Sequence, residues 1–379
     1  MFFEELKLPY YLLTVSFLFF MGVGSLLYKL TRKSELKAFV LIVVGLALCS
    51  ISILYGWRYI AIGYGGIDAS AYKIIFNKID PESLYSILEL RVEKGYGTLM
   101  WVVKSLGLPI HAFNFIFSFI LTSIIFYVVI LLPTTLFSLI SVLLFSILYI
   151  DSFNISRMII AIFILFVAAQ KLKRLKYFQS FALSLLAASF QMVGGWGIVF
   201  ILYTWAKGKV GNNFKFFLFY LISVVSAFLI VNVFKFILVF IGYGYYVVDE
   251  VSFSLLNYIF CAYLYFIYYF FISRDDTYHI STSSNIVFQL LPTMAFSLPL
   301  YMAVPIAYRF NYIYMLFFFF VIAEVLKWST KKLKERKYAI FFIGFLPPLI
   351  YSFLKLYAYF ERDVYSAQIW LLDRSLFFW

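Results

Sequence analysis

The stretch from Arg58 to Pro109, RYIAIGYGGIDASAYKIIFNKIDPESLYSILELRVEKGYGTLMWVVKSLGLP, is the only long interval of this chain that is not plainly membrane-soluble. It carries five carboxylates (Asp68, Asp80, Glu82, Glu89 and Glu93) and six Lys or Arg, set between runs with almost no charge. GYGGIDAS has the glycines of a turn. DPESLYSILELRVEKGY reads as a capped helix, with Asp80 as cap, Pro81 in the first turn and an apolar stripe of Leu84, Ile87, Leu88 and Val92. GYGTLMWVVKSLGLP has the character of a short interfacial helix. Residues 57–110 are thus expected to form an extracytoplasmic loop capping a site at one membrane face.

Around this interval, composition decides the class. Hydrophobic residues make up 64% of the 379 and charged residues only 13%, where a soluble domain is about one quarter charged. Apolar runs near the roughly 20 residues needed to cross a bilayer recur along the chain, which predicts an all-α polytopic membrane protein forming one integral membrane domain over 1–379. Aromatics reach 23%, more than interfacial belts need, so Phe and Tyr must also fill the interior.

The net charge of +13 does not indicate nucleic acid, because the basic residues cluster in short loops: 29–37, 171–176, 207–215 and 327–337. Such clusters mark cytoplasmic loops and contacts with anionic membrane lipids. Together with Arg274, they hold eighteen of the 31 Lys and Arg. Cys49 and Cys261 both fall in apolar runs, which indicates neither a disulfide framework nor a thiolate metal site. The opening MFFEELKLPYY lacks a basic n-region and reads as the entry to a first span.

These signals place spans at about residues 10–28, 38–56, 111–131 and 133–150, with a hairpin near Pro133. DSFNISR (151–157) then lies outside, and a short span from Met158 returns inward. Basic loops flank 177–205, which requires an even number of crossings in 29 residues. Two helices of about 14 residues reach only about 21 Å each, so a re-entrant or broken helix pair is expected, turning at Gly194, Gly195 and Gly197, with Gln191 near its tip. Further spans fall at about 216–240, 254–273, 285–303, 311–326 and 338–356, the 285–303 span kinked by Pro292 and Pro299. The count is about twelve membrane segments, with both termini outside.

On this layout Arg58, Arg157 and Arg309 sit at the outer ends of separate spans, with Asp68 and Glu93 above them. Charges near bilayer depth are costly and usually have a partner or a task. Three guanidiniums suit a diphosphate, since planar forks match phosphate oxygens, although a helix-end Arg can also snorkel as an anchor. Asp68 and Glu93 can equally serve salt bridges within the loop, and Gln191 a helix–helix hydrogen bond. Glu324 reads as a solvated or paired residue near the cytoplasmic end, and Asp275–Asp276 as a helix-end loop. His111 and His279 fall on opposite predicted faces, so no metal site is expected.

The order of these residues resembles the Wzy-type polysaccharide polymerases, specifically the EpsG-like group. Arg58 is followed by Gly66-Ile67-Asp68 with Tyr72, then by Glu93-Lys94-Gly95-Tyr96; Arg157-Met158-Ile159-Ile160-Ala161 opens a short span; Arg309-Phe310-Asn311-Tyr312 comes last. Where the family often has a His after Ser-Phe, this chain has Ala188-Ser189-Phe190-Gln191, and glutamine cannot act as a base.

The resemblance implies a GT-C-like membrane glycosyltransferase. A growing glycan would pass from undecaprenyl diphosphate to the next undecaprenyl-diphosphate-linked repeat unit at the outer face of the bacterial cytoplasmic membrane. It implies diphosphate binding by Arg58, Arg157 and Arg309, and a general base in Glu93 or, second, Asp68. Tyr72, Lys94, Tyr96, Gln191 and Tyr312 would contact substrate, with Tyr64, Tyr72, Tyr85 and Tyr96 stacking on sugar rings. No cofactor and no obligatory metal are implied, and the expected partners are the lipid-linked oligosaccharide, membrane lipids and a chain-length regulator, with no nucleic acid. An O-antigen ligase would perform the same transfer onto a different acceptor, and another lipid-linked glycosyl or acyl transferase is a further alternative. A lipid-linked oligosaccharide flippase would instead spread charge along a cavity open to both faces.

Overall fold

A computed structural model describes residues 15–58, 60, 68–90, 92–210, 256–298, 301 and 309–360, with isolated positions 233, 236 and 240. Every described element is helical. Among the described residues, five helices are long and apolar enough to cross a membrane: α2 (Ser34–Gly56), α6 (Ile110–Ile130), α7 (Ser138–Leu172), α12 (Arg309–Lys334) and α13 (Tyr338–Phe360). The chain is a helical membrane protein. The expected span at 216–240 (three isolated positions apart), the loop after it, and Pro299, Pro305 and residues 361–379 lie outside the described residues.

The chain divides into two compact units. The first takes in the described residues within Met1–Ile164, Leu186–Met192 and Leu346–Trp379. Here α1 (Val15–Leu30) packs against α2 and α6, and α2 lies along α6. The face of α2 follows helical spacing: Val40, Val44, Leu48, Ile51 and Tyr55 are buried, while Phe39, Ile42 and Leu46 on the other side are at least 60% exposed. Such an apolar outward face suits lipid. Helices in lipid gain little from apolar burial itself, so close backbone approach carries the packing. Gly24 and Gly56 supply it: a Cβ on Gly24 would come 2.6 Å from Val44, and one on Gly56 3.0 Å from the His111 carbonyl. His111 Nδ1 also hydrogen-bonds the Gly56 carbonyl (2.8 Å).

Between α2 and α6 the chain folds α3 (Ala69–Lys78), α4 (Ser86–Glu89) and α5 (Lys94–Ser105). Ile87 and Val92 are buried, whereas Leu84 and Leu88 of the expected stripe are exposed. The capped helix reduces to the one turn of α4, because Lys94 and Lys104 of α5 fix the loop instead. Lys104 Nζ donates to the carbonyls of Phe76, Asn77 and Ile79 (2.6–3.0 Å) at the end of α3. Lys94 Nζ donates to those of Ile87 and Leu88 within α4 and Leu90 just after it (2.9–3.3 Å). A lysine at a helix C-terminus satisfies orphan carbonyls and the negative end of the dipole together.

The turn near Pro133 joins α6 to α7 as expected. DSFNISR does not form a loop, however. It is part of α7, interrupted only at Ile155 (φ −120°, ψ 48°). Asp151, Ser152, Asn154 and Ser156 are all at least nine-tenths buried, so residues that read as loop polarity are polar groups inside the fold.

In the second unit, within Leu165–Leu185 and Val193–Phe345, α10 (Leu256–Ile272) packs on α12 and on the 3-10 stretch Leu291–Ser297, which continues α11 (Thr282–Leu290). The α helix gives way beside Pro292, the kink its sequence predicts. Phe317, Phe318, Phe319 and Phe320 of α12 are completely buried, which answers the aromatic excess. Residues 177–210 form two helices of 14 residues, α8 (Tyr177–Phe190) and α9 (Gly197–Val210), joined by a 3-10 turn at Met192–Trp196, with Leu186–Met192 counted in the first unit. Gly197 abuts Ser184, where a Cβ would collide with the serine hydroxyl.

Glu324 is wholly buried and paired, not solvated: it accepts the Tyr278 hydroxyl (2.7 Å) and the Ser284 hydroxyl (2.9 Å). Asp275, in the loop before α11, accepts from Lys332 Nζ (2.7 Å) and Trp328 Nε1 (3.0 Å). Burial pushes its carboxyl up, but the bonds from Lys332, Thr277 and Trp328 outweigh this and hold it well below the usual carboxylate range. Because the folded value is depressed, the contribution to stability is present above the unfolded value near 4 and is lost as pH falls below it. Asp275→Asn should therefore cost about 1–3 kcal/mol at neutral pH. A thermal melt in detergent checks this: the variant's deficit should shrink as the pH is lowered toward 3.

Candidate functional site

The first unit gathers five of the anticipated residues around the start of α5. Glu93 is the residue before the helix, with extended backbone, and its carboxylate forms an ion pair with Arg157. Arg157 follows the break in α7 by two residues. Both side chains are about one-fifth exposed (22% and 21%), so the pair is reachable and only partly desolvated.

Arg157 lies over two phenol rings, 5.3 Å from the Tyr72 centroid and 6.0 Å from that of Tyr96. Its Nε donates a long bond to the Tyr72 hydroxyl (3.5 Å), which in turn donates to Asp68 Oδ2 (3.4 Å). Burial raises the Tyr72 phenol to about 12 and the Tyr96 phenol well above its ordinary value. Both therefore stay neutral, and Tyr72 acts as a donor toward Asp68. Tyr96 shares a hydrogen bond with Ser156 (3.2 Å), and the two rings lie 5.3 Å apart. At 5% and 1% exposure, Tyr72 and Tyr96 form a floor beneath Arg157, and the expected stacking on sugar rings does not fit them. Tyr85, 77% exposed, is open to such contact. Tyr64 is outside the described residues.

Two other anticipated residues have partners within the protein. Lys94 places its ammonium among three backbone carbonyls around α4 and holds that segment to the start of α5. Arg58 is 2% exposed; its guanidinium lies 4.0 Å from the Tyr55 ring and 5.0 Å from the Phe153 ring, and it donates to the Tyr55 carbonyl (3.0 Å). Gln191 is buried in the turn after α8. Two residues before it, Ser189 abuts Gly95: a Cβ there would overlap the serine hydroxyl and sit 2.9 Å from its carbonyl oxygen. The glycine of Glu93-Lys94-Gly95-Tyr96 is thus fixed by close approach of this turn. Gly95→Val should lower activity more than tenfold by displacing one segment from the other. Ser189→Gly in the same chain should restore part of it, measured as product formed per folded protein.

Arg309 and Tyr312 stand on the first turn of α12 in the second unit. There Phe310 packs on Trp196 (4.7 Å), Trp196 Nε1 donates to the Tyr314 hydroxyl (2.7 Å), and Tyr314 shares a hydrogen bond with Thr293 (2.8 Å). Of the other residues in these contacts, Ser156 and Ser189 stand beside Arg157 and Gln191 in the quoted segments, whereas Trp196 and Thr293 carried no local signal in the sequence. Among the described residues no three His, Cys, Asp or Glu converge as metal ligands.

Apolar helices of membrane-spanning length and a partly exposed guanidinium–carboxylate pair above two buried phenols define a helical membrane protein with a polar cluster in its first unit. The chain belongs to the EpsG family, whose model matches residues 41–368. That membership places it among membrane polysaccharide polymerases in type. No curated protein and no solved structure matches it.

Proposed function

We propose that this protein polymerises a lipid-linked oligosaccharide at the outer face of the bacterial cytoplasmic membrane, within a fold of about twelve membrane segments. Residues 57–110 cap the site, and 177–205 form a re-entrant or broken helix pair with Gln191 near its tip. The acceptor is the next undecaprenyl-diphosphate-linked repeat unit, and its sugar hydroxyl attacks the anomeric carbon of the growing glycan. The bond from that carbon to the diphosphate breaks as the new glycosidic bond forms. Undecaprenyl diphosphate leaves, and the hydroxyl proton passes to a carboxylate. The energy resides in the diphosphate linkage, so no nucleotide sugar is required.

The observation that carries this reading is the Arg157–Glu93 pair beside Tyr72 and Asp68, in a chain of this family. Arg157 supplies positive charge where the leaving diphosphate develops negative charge; for Arg309 the assignment to diphosphate binding rests on the family resemblance alone. Glu93 commits a carboxylate oxygen to Arg157. Asp68 is therefore the better base, with Glu93 holding the guanidinium in place. Tyr312 and Gln191 are assigned to substrate contact, and a chain-length regulator is the expected protein partner. Purified protein given undecaprenyl-diphosphate-linked repeat unit should yield a ladder of longer lipid-linked glycans; no ladder from active-grade substrate would sink the proposal.

A further inference from the structure

Arg157 reaches its position through a break in its own helix, and a buried group stands at that break. Dihedrals of −120° and 48° at Ile155 leave the helical basin, so backbone bonds spanning this residue lose regular geometry. The carbonyl of Ser152 is one whose helical donor, the Ser156 amide, lies across the break. It accepts the Tyr55 hydroxyl at 2.8 Å, and both residues are at most 1% exposed. The Tyr55 ring packs 4.4 Å from Phe153. The Arg58 guanidinium lies over both rings, and its bond to the Tyr55 carbonyl ties it to the end of α2. Beyond the break, Ser156 bonds Tyr96, and the next residue is Arg157.

We infer that Tyr55 and Arg58 form a brace that fixes the break at Ile155 and so sets the direction of Arg157; both are positioning residues, and neither touches substrate. A hydroxyl donor is needed because the carbonyl it serves is cut off from water, where an unmade bond is costly. An arginine is needed because a flat, weakly hydrated cation can stack on two rings inside the protein, which an ammonium does less well. The consequence for polymerisation rests on the function proposed above; the consequence for the backbone does not.

The test uses the full-length protein in detergent. Tyr55→Phe keeps the ring and removes the hydroxyl; Arg58→Lys keeps the charge and removes the stack. Hydrogen exchange should rise about tenfold in peptides covering 152–160 in Tyr55→Phe, with little change in α6. On lipid-linked repeat unit, each variant should lower kcat about tenfold with KM within about twofold of wild type. In an Arg157→Lys background, adding Tyr55→Phe should lower kcat no further, because the brace acts only through that side chain. Unchanged exchange at 152–160 overturns the brace, as does a penalty that multiplies with Arg157→Lys. A raised KM in Arg58→Lys at unchanged kcat would make Arg58 a direct ligand and overturn its assignment. If exchange rises as expected but the wild-type protein forms no polymer, the brace stands and the polymerase reading fails.

Discussion

Arg157→Ala is expected to abolish long-chain glycan while the protein persists in the membrane at its normal level. Arg157 is the residue on which the cluster converges: it pairs with Glu93, bonds Tyr72 and lies over the Tyr72 and Tyr96 rings. Removing it takes away a partly exposed cation at the leaving diphosphate, a loss of roughly 10²–10³ in rate for a preorganised charge of this kind. It also removes the guanidinium that forms an ion pair with Glu93, so the cluster loses positive charge beside a carboxylate. Arg157→Lys separates the two contributions: it keeps the charge but loses the planar fork, and should retain a measurable fraction of the rate. Ladder length and initial rate from equal amounts of folded protein are the measurements. Wild-type polymer from Arg157→Ala would remove this residue from the mechanism.

How much of this was legible beforehand follows from what local sequence encodes. Apolar runs specify helices in a bilayer because no other open structure satisfies the backbone there. The helical class, the turn near Pro133 and the kink beside Pro292 could thus be read directly. DSFNISR was misread because polarity normally marks a loop, whereas Ser152 and Ser156 spend theirs on tertiary bonds to Tyr55 and Tyr96. Those partners lie 97 and 60 residues away in sequence. The same limit applies to the ordered motif residues. Sequence could place Glu93, Tyr72 and Arg157 on one list, but not decide that the tyrosines would be buried beneath the arginine. Nor could it tell that Arg58, alike in charge and setting, would be buried over the Tyr55 and Phe153 rings. Gly95 was visible as a motif glycine, but its reason, the approach of Ser189, is a contact no spacing rule contains.

The second large effect concerns the base. Asp68→Asn should lower kcat by roughly 10²–10⁴, the usual contribution of a positioned proton acceptor, with the lipid-linked substrate still bound. Glu93→Gln should be milder in kcat and should also raise KM, since the amide no longer neutralises and orients Arg157. The pH dependence discriminates between them. A carboxylate base must be ionised, so wild-type kcat should fall on the acid side as the base takes up its proton. That acid limb should survive in Glu93→Gln and vanish from the residual rate of Asp68→Asn. Tyr72 cannot be the source of the limb, because burial keeps its phenol protonated up to about 12. It serves instead as the donor that orients the Asp68 carboxylate, and Tyr72→Phe should weaken the rate while leaving the limb in place. Loss of the limb in Glu93→Gln, with its retention in Asp68→Asn, would exchange the two roles and make Glu93 the group that accepts the proton despite its ion pair.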